Sequence, residues 1–155
     1  MAVDEAGNLF IADNQGTDFS CDFRVRKVSP NGIITTVAGI TACSGISISG
    51  DGGPAASAQL SFTPSVTSDK AGNVFIADIY NHRIRRITRD GIIDTVAGGA
   101  YGFSGDGGSA LQAALSYPIA VAADATGNVY VADAGNNAIR VLRPKTDSAS
   151  IGTTK

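Results

Sequence analysis

The chain alternates short apolar runs with turns centred on glycine, and it does so in the same order three times. A Gly-Asn pair, an apolar run and an aspartate occur as AGNLFIAD (6–13), AGNVFIAD (71–78) and TGNVYVAD (126–133). A run of basic and aliphatic residues follows each copy: RVRKV (24–28), RIRRI (83–87) and AIRVL (138–142). Short runs of this kind between turn signals are typical of β-strands, so the pattern predicts an all-β chain built from repeats.

Each repeat predicts four strands. In the second repeat these are SVTSD (65–69), NVFIA (73–77), RIRRI (83–87) and IIDTVA (92–97). The NVFIA run is apolar at consecutive positions, which predicts a strand buried on both faces by neighbouring sheets. In RIRRI the residues Ile84 and Ile87 lie three apart, which breaks strict alternation and predicts a bulge or an early strand end.

Four antiparallel strands per repeat, stacked radially, describe the blades of a β-propeller. A solenoid is the other repeat architecture, but its units are usually shorter and parallel. The repeats divide the chain into blade 1 (1–62), with a truncated first strand and two loop insertions, blade 2 (63–117) and a partial blade 3 (118–155). Each boundary contains an SGDGG loop whose following residues predict a short helix.

The predicted blades do not complete a propeller. After Arg143 the chain lacks the NGIITTVAG pattern of residues 31–39, and residues 149–153 are the candidates to replace that fourth strand. Propellers usually have at least about four blades, so three cannot close a ring. We therefore expect a fragment of a longer propeller, or one half of a six-bladed ring that two copies of the chain close. An uncovered end blade would otherwise expose a broad apolar patch.

The phrase Gly-Asn-Val-Phe-Ile-Ala-Asp (72–78), followed by Ile-Arg (84–85), resembles the NHL repeat, and Asn81 and His82 match the first two letters of that name. The VAG and GDGGxAxxAxL segments are similar to the bacterial NHL variety found in large secreted or surface proteins. The resemblance covers nearly the whole chain. It departs from the pattern at Asp22-Phe23 in blade 1 and at Asn136-Asn137 in blade 3, where blade 2 has Asn-His.

Blade 1 is longer than blade 2 because of two insertions, and each insertion carries one cysteine, Cys21 and Cys43. The connections that hold them leave an antiparallel blade at the same end. Two interpretations follow, a pair of buried free thiols or a disulfide that joins the insertions. We predict the disulfide, and with it an extracellular, cell-surface or periplasmic location. Two cysteines and one distant histidine do not make a zinc site.

The charges change this picture only locally, because 12 Lys and Arg against 14 Asp and Glu leave a net charge of -2. The cations concentrate on the third strand of each repeat, which predicts a basic band that contacts a partner. The candidate partner-binding residues are Arg24, Arg26, Arg83, Arg85, Arg86 and Arg140. Some NHL domains bind RNA through a basic surface, but here no aromatic residues alternate with the arginines to stack on bases. A half-exposed strand with Arg–Asp pairs needs no ligand at all.

Aspartates recur at two positions of the repeat. Asp51 and Asp106 of the SGDGG loops are candidate calcium ligands, but the DxDxDG spacing is missing, which favours a role in the turn. The aspartates that end the second strands, with the single histidine, are candidates for one mouth of the channel: Asp13, Asp78, Asp133 and His82. The alternative is that each aspartate bonds backbone N–H groups or an arginine, and that His82 is a turn residue.

These observations predict a non-catalytic scaffold that binds a protein or a carbohydrate as part of a larger secreted or surface protein, without a cofactor or metal. One histidine and one glutamate, Glu5, do not form a catalytic cluster, and no GxSxG, phosphate-loop or HExxH motif is present. The alternative is a segment of a propeller lyase or lactonase whose catalytic and metal residues lie on other blades. Nucleic-acid binding through the basic band is a third interpretation. No apolar run approaches the roughly 18 residues of a membrane helix, and no signal peptide follows Met1.

Overall fold

The computed structural model describes residues 1–14, 22–40 and 49–143 and the backbone of residues 150–154. These residues form three antiparallel sheets that follow one another along the chain, and a two-stranded parallel sheet between the second and the third. Four strands of each antiparallel sheet are neighbours in sequence order, and the middle sheet has one additional short strand at its edge. This is the arrangement of propeller blades, and the prediction of an all-β chain of four-stranded antiparallel units is confirmed. Among the described residues, no helix is long and apolar enough to cross a membrane.

The strands of blade 1 are β1 (Ala2–Val3), β2 (Leu9–Asn14), β3 (Phe23–Val28) and β4 (Ile34–Ala38). A short strand from the first SGDGG loop, β5 (Gly53–Pro54), then joins the outer edge of blade 2. Blade 2 itself consists of β6 (Val66–Ser68), β7 (Val74–Asp78), β8 (Arg83–Ile87) and β9 (Ile92–Gly98). A short parallel pair follows, β10 (Ala100–Tyr101) and β11 (Ala114–Leu115). Blade 3 consists of β12 (Pro118–Ala123), β13 (Val129–Asp133), β14 (Ala138–Arg143) and β15 (Ser150–Thr154).

The third blade has a fourth strand, which the sequence left open. Strand β15 pairs with β14 in antiparallel register, with Arg140 opposite Thr153. The sheet is therefore four-stranded rather than partial, and the replacement strand lies within one residue of the predicted segment. The short helix predicted in each SGDGG loop is also confirmed, as one turn of 3-10 helix at Ala55–Ser57 and at Ala110–Gln112.

The core lies between the sheets rather than within one of them. All of β7 is buried, with Val74 and Ile76 packed in the cluster shared with blade 1 and Phe75 and Ala77 in the cluster shared with blade 3. Successive side chains of a strand point to opposite faces, so a strand between two sheets must be apolar at every position. This confirms the prediction that the NVFIA run is buried on both faces.

The same geometry explains the odd spacing of isoleucines in β8. Ile84 packs toward blade 3 and Ile87 toward blade 1, so both cores are served by residues three apart. The predicted bulge is present as well, as a register shift between Ile84 and Arg85 in the pairing of β8 with β9. A bulge of this kind increases the local twist of the strand.

The two ends of the blades are built differently. The turn end contains the connections between first and second strands and between third and fourth strands, residues 4–8, 29–33, 69–73, 88–92 and 124–128. The loop end contains the other connections, residues 79–82, 98–103, 116–117 and 134–137. Each connection of the turn end closes with the same pair of backbone hydrogen bonds, as in Asp69 N–H to the Asn73 carbonyl and Gly72 N–H to the Asp69 carbonyl. The turn end is therefore regular, and the loop end varies from blade to blade.

Candidate functional site

The central arginine of β8 is buried. Arg85 has no exposed surface, and its Nη2 donates to Asp51 Oδ1 at 2.6 Å. The guanidinium also donates to the Gln59 carbonyl at 2.8 Å and to the Ser49 carbonyl at 3.1 Å. Burial of the Asp51 carboxyl raises its pKa, but hydrogen bonds from Thr95 and Arg85 outweigh this effect, so the pKa of Asp51 is lowered. Arg85 thus ties the SGDGG loop to the third strand of the blade that follows it.

Arg140 of β14 repeats this arrangement in blade 3. It has no exposed surface, its Nη2 lies 2.6 Å from Asp106 Oδ1, and the same nitrogen donates to the Ser104 carbonyl at 2.8 Å. Its Nη1 donates to the Ala114 carbonyl at 3.1 Å and to Asp133 Oδ2 at 3.3 Å. The two arginines therefore bond the equivalent atoms of two successive loops, which identifies them as structural links between blades.

These contacts correct the predicted basic band. The expectation of an exposed partner-binding surface is wrong for Arg85 and Arg140, because both side chains are fully buried by carbonyl and carboxylate acceptors. Asp51 and Asp106 each accept a hydrogen bond or ion pair from one of these guanidinium groups, which favours the turn-stabilising interpretation over a calcium site. Within the described ranges, no three His, Cys, Asp or Glu side chains converge as metal ligands.

The remaining arginines of the band are partly exposed: Arg24, Arg26, Arg83 and Arg86. The Nε atom of Arg24 lies 4.0 Å from Asp13 Oδ2, and its Nη2 atom lies 3.5 Å from Asp22 Oδ1. Arg86 lies 4.0 Å from Asp94. Ion pairs of this kind at the surface contribute little to stability, typically about 0–1 kcal/mol. Two of these four arginines have acidic neighbours, so this surface is mixed in charge where Arg24 and Arg86 lie.

The aspartates at the ends of β7 and β13 are buried as well. Asp78 accepts hydrogen bonds from the Ser61 backbone N–H at 3.0 Å and from Asn81 Nδ2 at 3.0 Å. Asp133 accepts the Ser116 backbone N–H at 2.6 Å. Burial raises the pKa of Asp78 against the hydrogen bonds that lower it. The channel-mouth prediction is wrong for both residues, because neither carboxylate is exposed.

His82 is a turn residue, as one of its two interpretations predicted. It follows the 3-10 turn Ile79–Asn81 with a φ of 52°, and Asn137 follows the equivalent turn Ala134–Asn136 with a φ of 51°. Among residues with a side chain, Asn, Asp and His are enriched in this left-handed conformation. The backbone thus explains why blade 2 has histidine and blade 3 asparagine at one position of the repeat.

Three tyrosines and His82 lie in a chain of ring contacts at the loop end, and we call these four residues the tyrosine cluster: Tyr80, His82, Tyr101 and Tyr117. The imidazole centroid lies 5.1 Å from the ring of Tyr101 and 5.0 Å from the ring of Tyr117. Tyr117 also lies 6.1 Å from Tyr101 and 6.5 Å from Tyr80. Edge-to-face contacts at these distances are favourable, so the rings support one another.

The cluster is exposed and its backbone is unusual. Tyr80, Tyr101 and Tyr117 are 42%, 69% and 42% exposed. The described residues with a side chain and a positive φ are His82, Tyr117 and Asn137, and all three lie at the loop end. Strained backbone of this kind tends to occur at functional sites. The loop end therefore combines exposed aromatic surface with backbone strain, and it is the candidate binding site.

A cavity of about 610 Å³ lies at the turn end between blades 1 and 2. Its lining includes the charged residues Asp4, Glu5, Lys27, Asp69, Lys70 and Arg89. Two of its carboxylates are used within their own turns, since Asp4 and Asp69 each accept hydrogen bonds at 2.8 Å from the backbone N–H of the asparagine four residues later. This cavity follows from the packing of regular turns and is a weaker candidate than the loop end.

Sequence reasoning placed His82 at a turn but missed the tyrosines around it. A signal was available, because Phe62 and Tyr117 occupy equivalent positions after the two SGDGG loops, and Tyr80 follows the aspartate of β7 by two residues. What the sequence did not give is the folding of Tyr101 back onto His82. Both cysteines, Cys21 and Cys43, lie outside the described residues, so the disulfide stays a prediction.

Comparison with family models gives two matches. The Teneurin NHL domain matches residues 1–88, and the NHL repeat matches residues 115–142. Human teneurin-4 is 42% identical over 73 residues, which are 40% of this chain and 3% of that protein. Human teneurin-1 is 34% identical over 97 residues, which are 58% of this chain and 3% of that protein. The matched region is thus a small part of these relatives.

Among solved structures, a protein of unknown function from Bacteroides thetaiotaomicron matches 94% of this chain and 32% of its own, with a TM-score of 0.68 and 24% identity. Virginiamycin B lyase from Staphylococcus aureus matches 99% of this chain and 39% of its own, with a TM-score of 0.58 and 16% identity. An auxiliary nutrient binding protein from Bacteroides thetaiotaomicron matches 89% and 33%, with a TM-score of 0.58 and 18% identity. At these identities the matches establish the fold.

Proposed function

The chain belongs to the NHL repeat family, with the Teneurin NHL domain as the family matched over more than half of its length, and from that premise we propose that it is a non-catalytic propeller segment that binds a protein or carbohydrate ligand at its loop end. The exposed tyrosine cluster is the observation that carries this proposal. Tyrosine offers a large apolar face and a polar tip, and it is enriched where proteins bind ligands and one another.

The commitment of the charged groups supports a binding role. Asp78, Asp133, Arg85 and Arg140 have no exposed surface and hold loops to strands. A general acid or base must reach the proton that it transfers in a bound substrate. Buried groups that bond neighbouring segments are suited to structure, whereas the exposed rings are suited to contact.

The enzymatic alternative is a lyase-like propeller, of which virginiamycin B lyase is a neighbour in fold. It requires acid–base or metal groups contributed by other blades. The test is thermal unfolding with and without calcium or zinc: an increase in the midpoint of several degrees would favour the alternative, whereas an unchanged midpoint supports a metal-independent binding segment. Salt-sensitive retention on heparin would favour nucleic-acid or other polyanion binding instead.

The proposal includes a surface or extracellular location and a partner for the end blades. Val3 and Ile34 are exposed on the face of blade 1 that points away from blade 2, and Tyr130 and Ile139 on the face of blade 3 that does the same. Further blades cover these faces, either from the same protein or from a second copy that closes a six-bladed ring. Light scattering on the non-reduced protein checks this, because a mass of twice 15.7 kDa supports the second copy.

The binding proposal is tested by screening the labelled protein against an array of extracellular protein domains and an array of glycans. Tyr101→Arg places a bulky charge at the loop end, and Leu111→Arg is the matched control, because Leu111 is 59% exposed and belongs neither to the cluster nor to the end-blade faces. We expect at least one binder that Tyr101→Arg loses and Leu111→Arg retains. Binders that respond equally to both variants, or no binder on either array, would contradict a ligand site at the loop end.

A further inference from the structure

The rings of the tyrosine cluster stand at steep angles to one another. The planes of Tyr117 and Tyr101 meet at 74°, those of Tyr117 and Tyr80 at 88°, and those of His82 and Tyr117 at 81°. Neighbouring rings therefore meet edge to face rather than lying in one plane. A ligand with an apolar face as wide as one ring can stack on the exposed part of a tyrosine ring, because the negative face of an aromatic ring attracts C–H hydrogens, which carry a small positive charge.

His82 has a defined hydrogen-bonding role in the tyrosine cluster. Its Nδ1 accepts the backbone N–H of Tyr117 at 3.3 Å, so Nδ1 carries no proton. In the neutral imidazole the proton then resides on Nε2, which becomes a donor. Burial lowers the pKa of His82, and this effect outweighs that of the Asp133 carboxylate, which raises the pKa. The lowered pKa favours the neutral imidazole. The cluster thus offers one N–H donor and three phenolic hydroxyl groups, each of which can donate or accept a hydrogen bond.

The charged groups beside the cluster are already engaged. Arg83, the next residue in β8, donates to the Asn81 carbonyl and to the Thr95 hydroxyl, both at 3.2 Å. Asp133 is buried and bonded to the Ser116 N–H. A ligand at the cluster therefore meets aromatic faces and neutral donors and acceptors first, whereas the Asp133 carboxylate is buried and the Arg83 guanidinium is held by two hydrogen bonds within the protein.

We propose that the tyrosine cluster binds a neutral saccharide, with one pyranose stacked on Tyr101 or Tyr117 and its hydroxyl groups bonded to His82 Nε2–H and the phenols. A pyranose ring has one face of C–H groups and an equatorial edge of hydroxyl groups. The C–H face can stack on a tyrosine ring, and the hydroxyl groups can bond the phenolic hydroxyls and the imidazole N–H. A stable protein interface needs about 800 Å² and some 20–30 residues from each partner. A single sugar needs only the few side chains that the tyrosine cluster supplies. This inference rests on the proposed binding function and narrows its ligand class.

The test uses the intrinsic fluorescence of the protein. The chain has no tryptophan and four tyrosines, of which three lie in the cluster, so tyrosine emission reports mainly on the site. Purified protein is titrated with the neutral hexasaccharides cellohexaose, maltohexaose, xylohexaose and chitohexaose, and with a heparin hexasaccharide as the anionic comparison. We expect a saturable change in emission with at least one neutral probe and none with heparin.

Variants assign the binding to the cluster. Tyr101→Ala removes the most exposed ring, and we expect it to weaken the binding of that probe by at least tenfold. Leu111→Ala, at an exposed aliphatic residue outside the cluster, is the matched control, and it should change the affinity less than twofold. Urea unfolding of both variants verifies that each is folded during the titration; should Tyr101→Ala be destabilised, Tyr101→Ser with an isothermal titration replaces it.

Each outcome separates this inference from the broader function. No response to any neutral probe, a response to heparin alone, or equal affinity in Tyr101→Ala and the wild type overturns the saccharide inference. If one of these results is obtained while a protein domain binds the wild type and not Tyr101→Arg, the proposed binding function stands without the saccharide inference. If both arrays are silent, both proposals fail.

Discussion

The turn end and the loop end of the same blades differ in how their connections are stabilised and in how closely they are repeated from blade to blade. At the turn end, Asp69 and Asp124 accept hydrogen bonds from the backbone and side chain of the asparagine four residues later, and a glycine with a φ of 82° or 88° completes the turn. At the loop end the equivalent positions differ between blades, with Tyr80 in one and Gly135 in the next. The turn end is a copied structural unit, whereas the loop end shares a backbone shape but not its side chains.

This difference indicates where change is tolerated. Each connection of the turn end is satisfied within its own few residues, so it can be repeated without reference to its neighbours. At the loop end the contacts cross between blades, as when Tyr117 of one loop donates its N–H to His82 of another. A ligand site requires groups from several segments, and the loop end is where those segments meet.

Two glycines with the same φ provide the strongest test of the comparison. Gly98 at the loop end and Gly91 at the turn end both have a φ of 80°. A Cβ at Gly98 would lie 2.3 Å from the His82 carbonyl oxygen, whereas a Cβ at Gly91 would meet nothing within 4 Å. We expect Gly91→Ala to lower the free energy of unfolding by about 1–2 kcal/mol, the cost of the left-handed conformation alone. Gly98→Ala should cost about 4 kcal/mol or more, since it adds a backbone clash.

Urea unfolding followed by circular dichroism measures both changes. Equal losses at the two positions would show that the loop end is as open as the turn end, which would contradict the close packing described for His82.

The buried arginines offer the next largest effect, and they lie between the two ends. Arg85→Ala removes the hydrogen bonds to the Gln59 and Ser49 carbonyls and the ion pair with Asp51, whose side chain is 37% exposed. Losing a fully buried side chain together with several hydrogen bonds from a charged donor typically costs about 3 kcal/mol or more. Arg26 occupies the equivalent register in blade 1, opposite Ile11 as Arg85 is opposite Ile76, but it is partly exposed.

Arg26→Ala is therefore the control, with an expected loss below about 1 kcal/mol. Chemical denaturation of the two variants checks the difference. A large loss in Arg26→Ala and a small one in Arg85→Ala would reverse the assignment of the structural link.

The arginines also mark what the sequence could and could not predict. The repeat, the strand order and the doubly buried β7 follow from the spacing of apolar residues, because those features depend on local pattern. The burial of Arg85 and Arg140 does not, since charge predicts exposure and only the folded SGDGG loop supplies the acceptors that allow burial. Likewise Tyr101 is distant in sequence from His82, and their contact depends on how the loop after β9 returns to the blade.

A pH dependence should distinguish the loop end. Burial lowers the pKa of His82 below that of the unfolded chain, so the unfolded state binds the proton more readily. The stabilisation is complete above the ordinary value of 6.5 and is lost as the pH falls through the folded pKa. The groups that face the imidazole are the rings of Tyr101 and Tyr117, the Tyr117 N–H and the carboxylate of Asp133.

His82→Asn is the matched variant, because Asn137 adopts the same φ in blade 3. We expect the wild type to lose more stability than His82→Asn when urea midpoints are compared between pH 7.5 and 5. Other groups titrate in both proteins and cancel in the comparison. Parallel losses in the two proteins would mean that His82 does not titrate in this range.

The smallest effect is expected at the turn end, where Asp124 is only partly buried. Hydrogen bonds from Asn128 and then Thr126 favour its ionised form and lower its pKa well below 3.8. The contribution to stability is therefore present above 3.8 and is lost as the pH falls toward the folded pKa. Carboxyl carbon chemical shifts followed by NMR during an acid titration measure this directly. Asn128→Ala removes the first of these donors and should move the Asp124 midpoint upward while leaving the His82 midpoint unchanged. A coupled change at His82 would mean that the two ends are not independent.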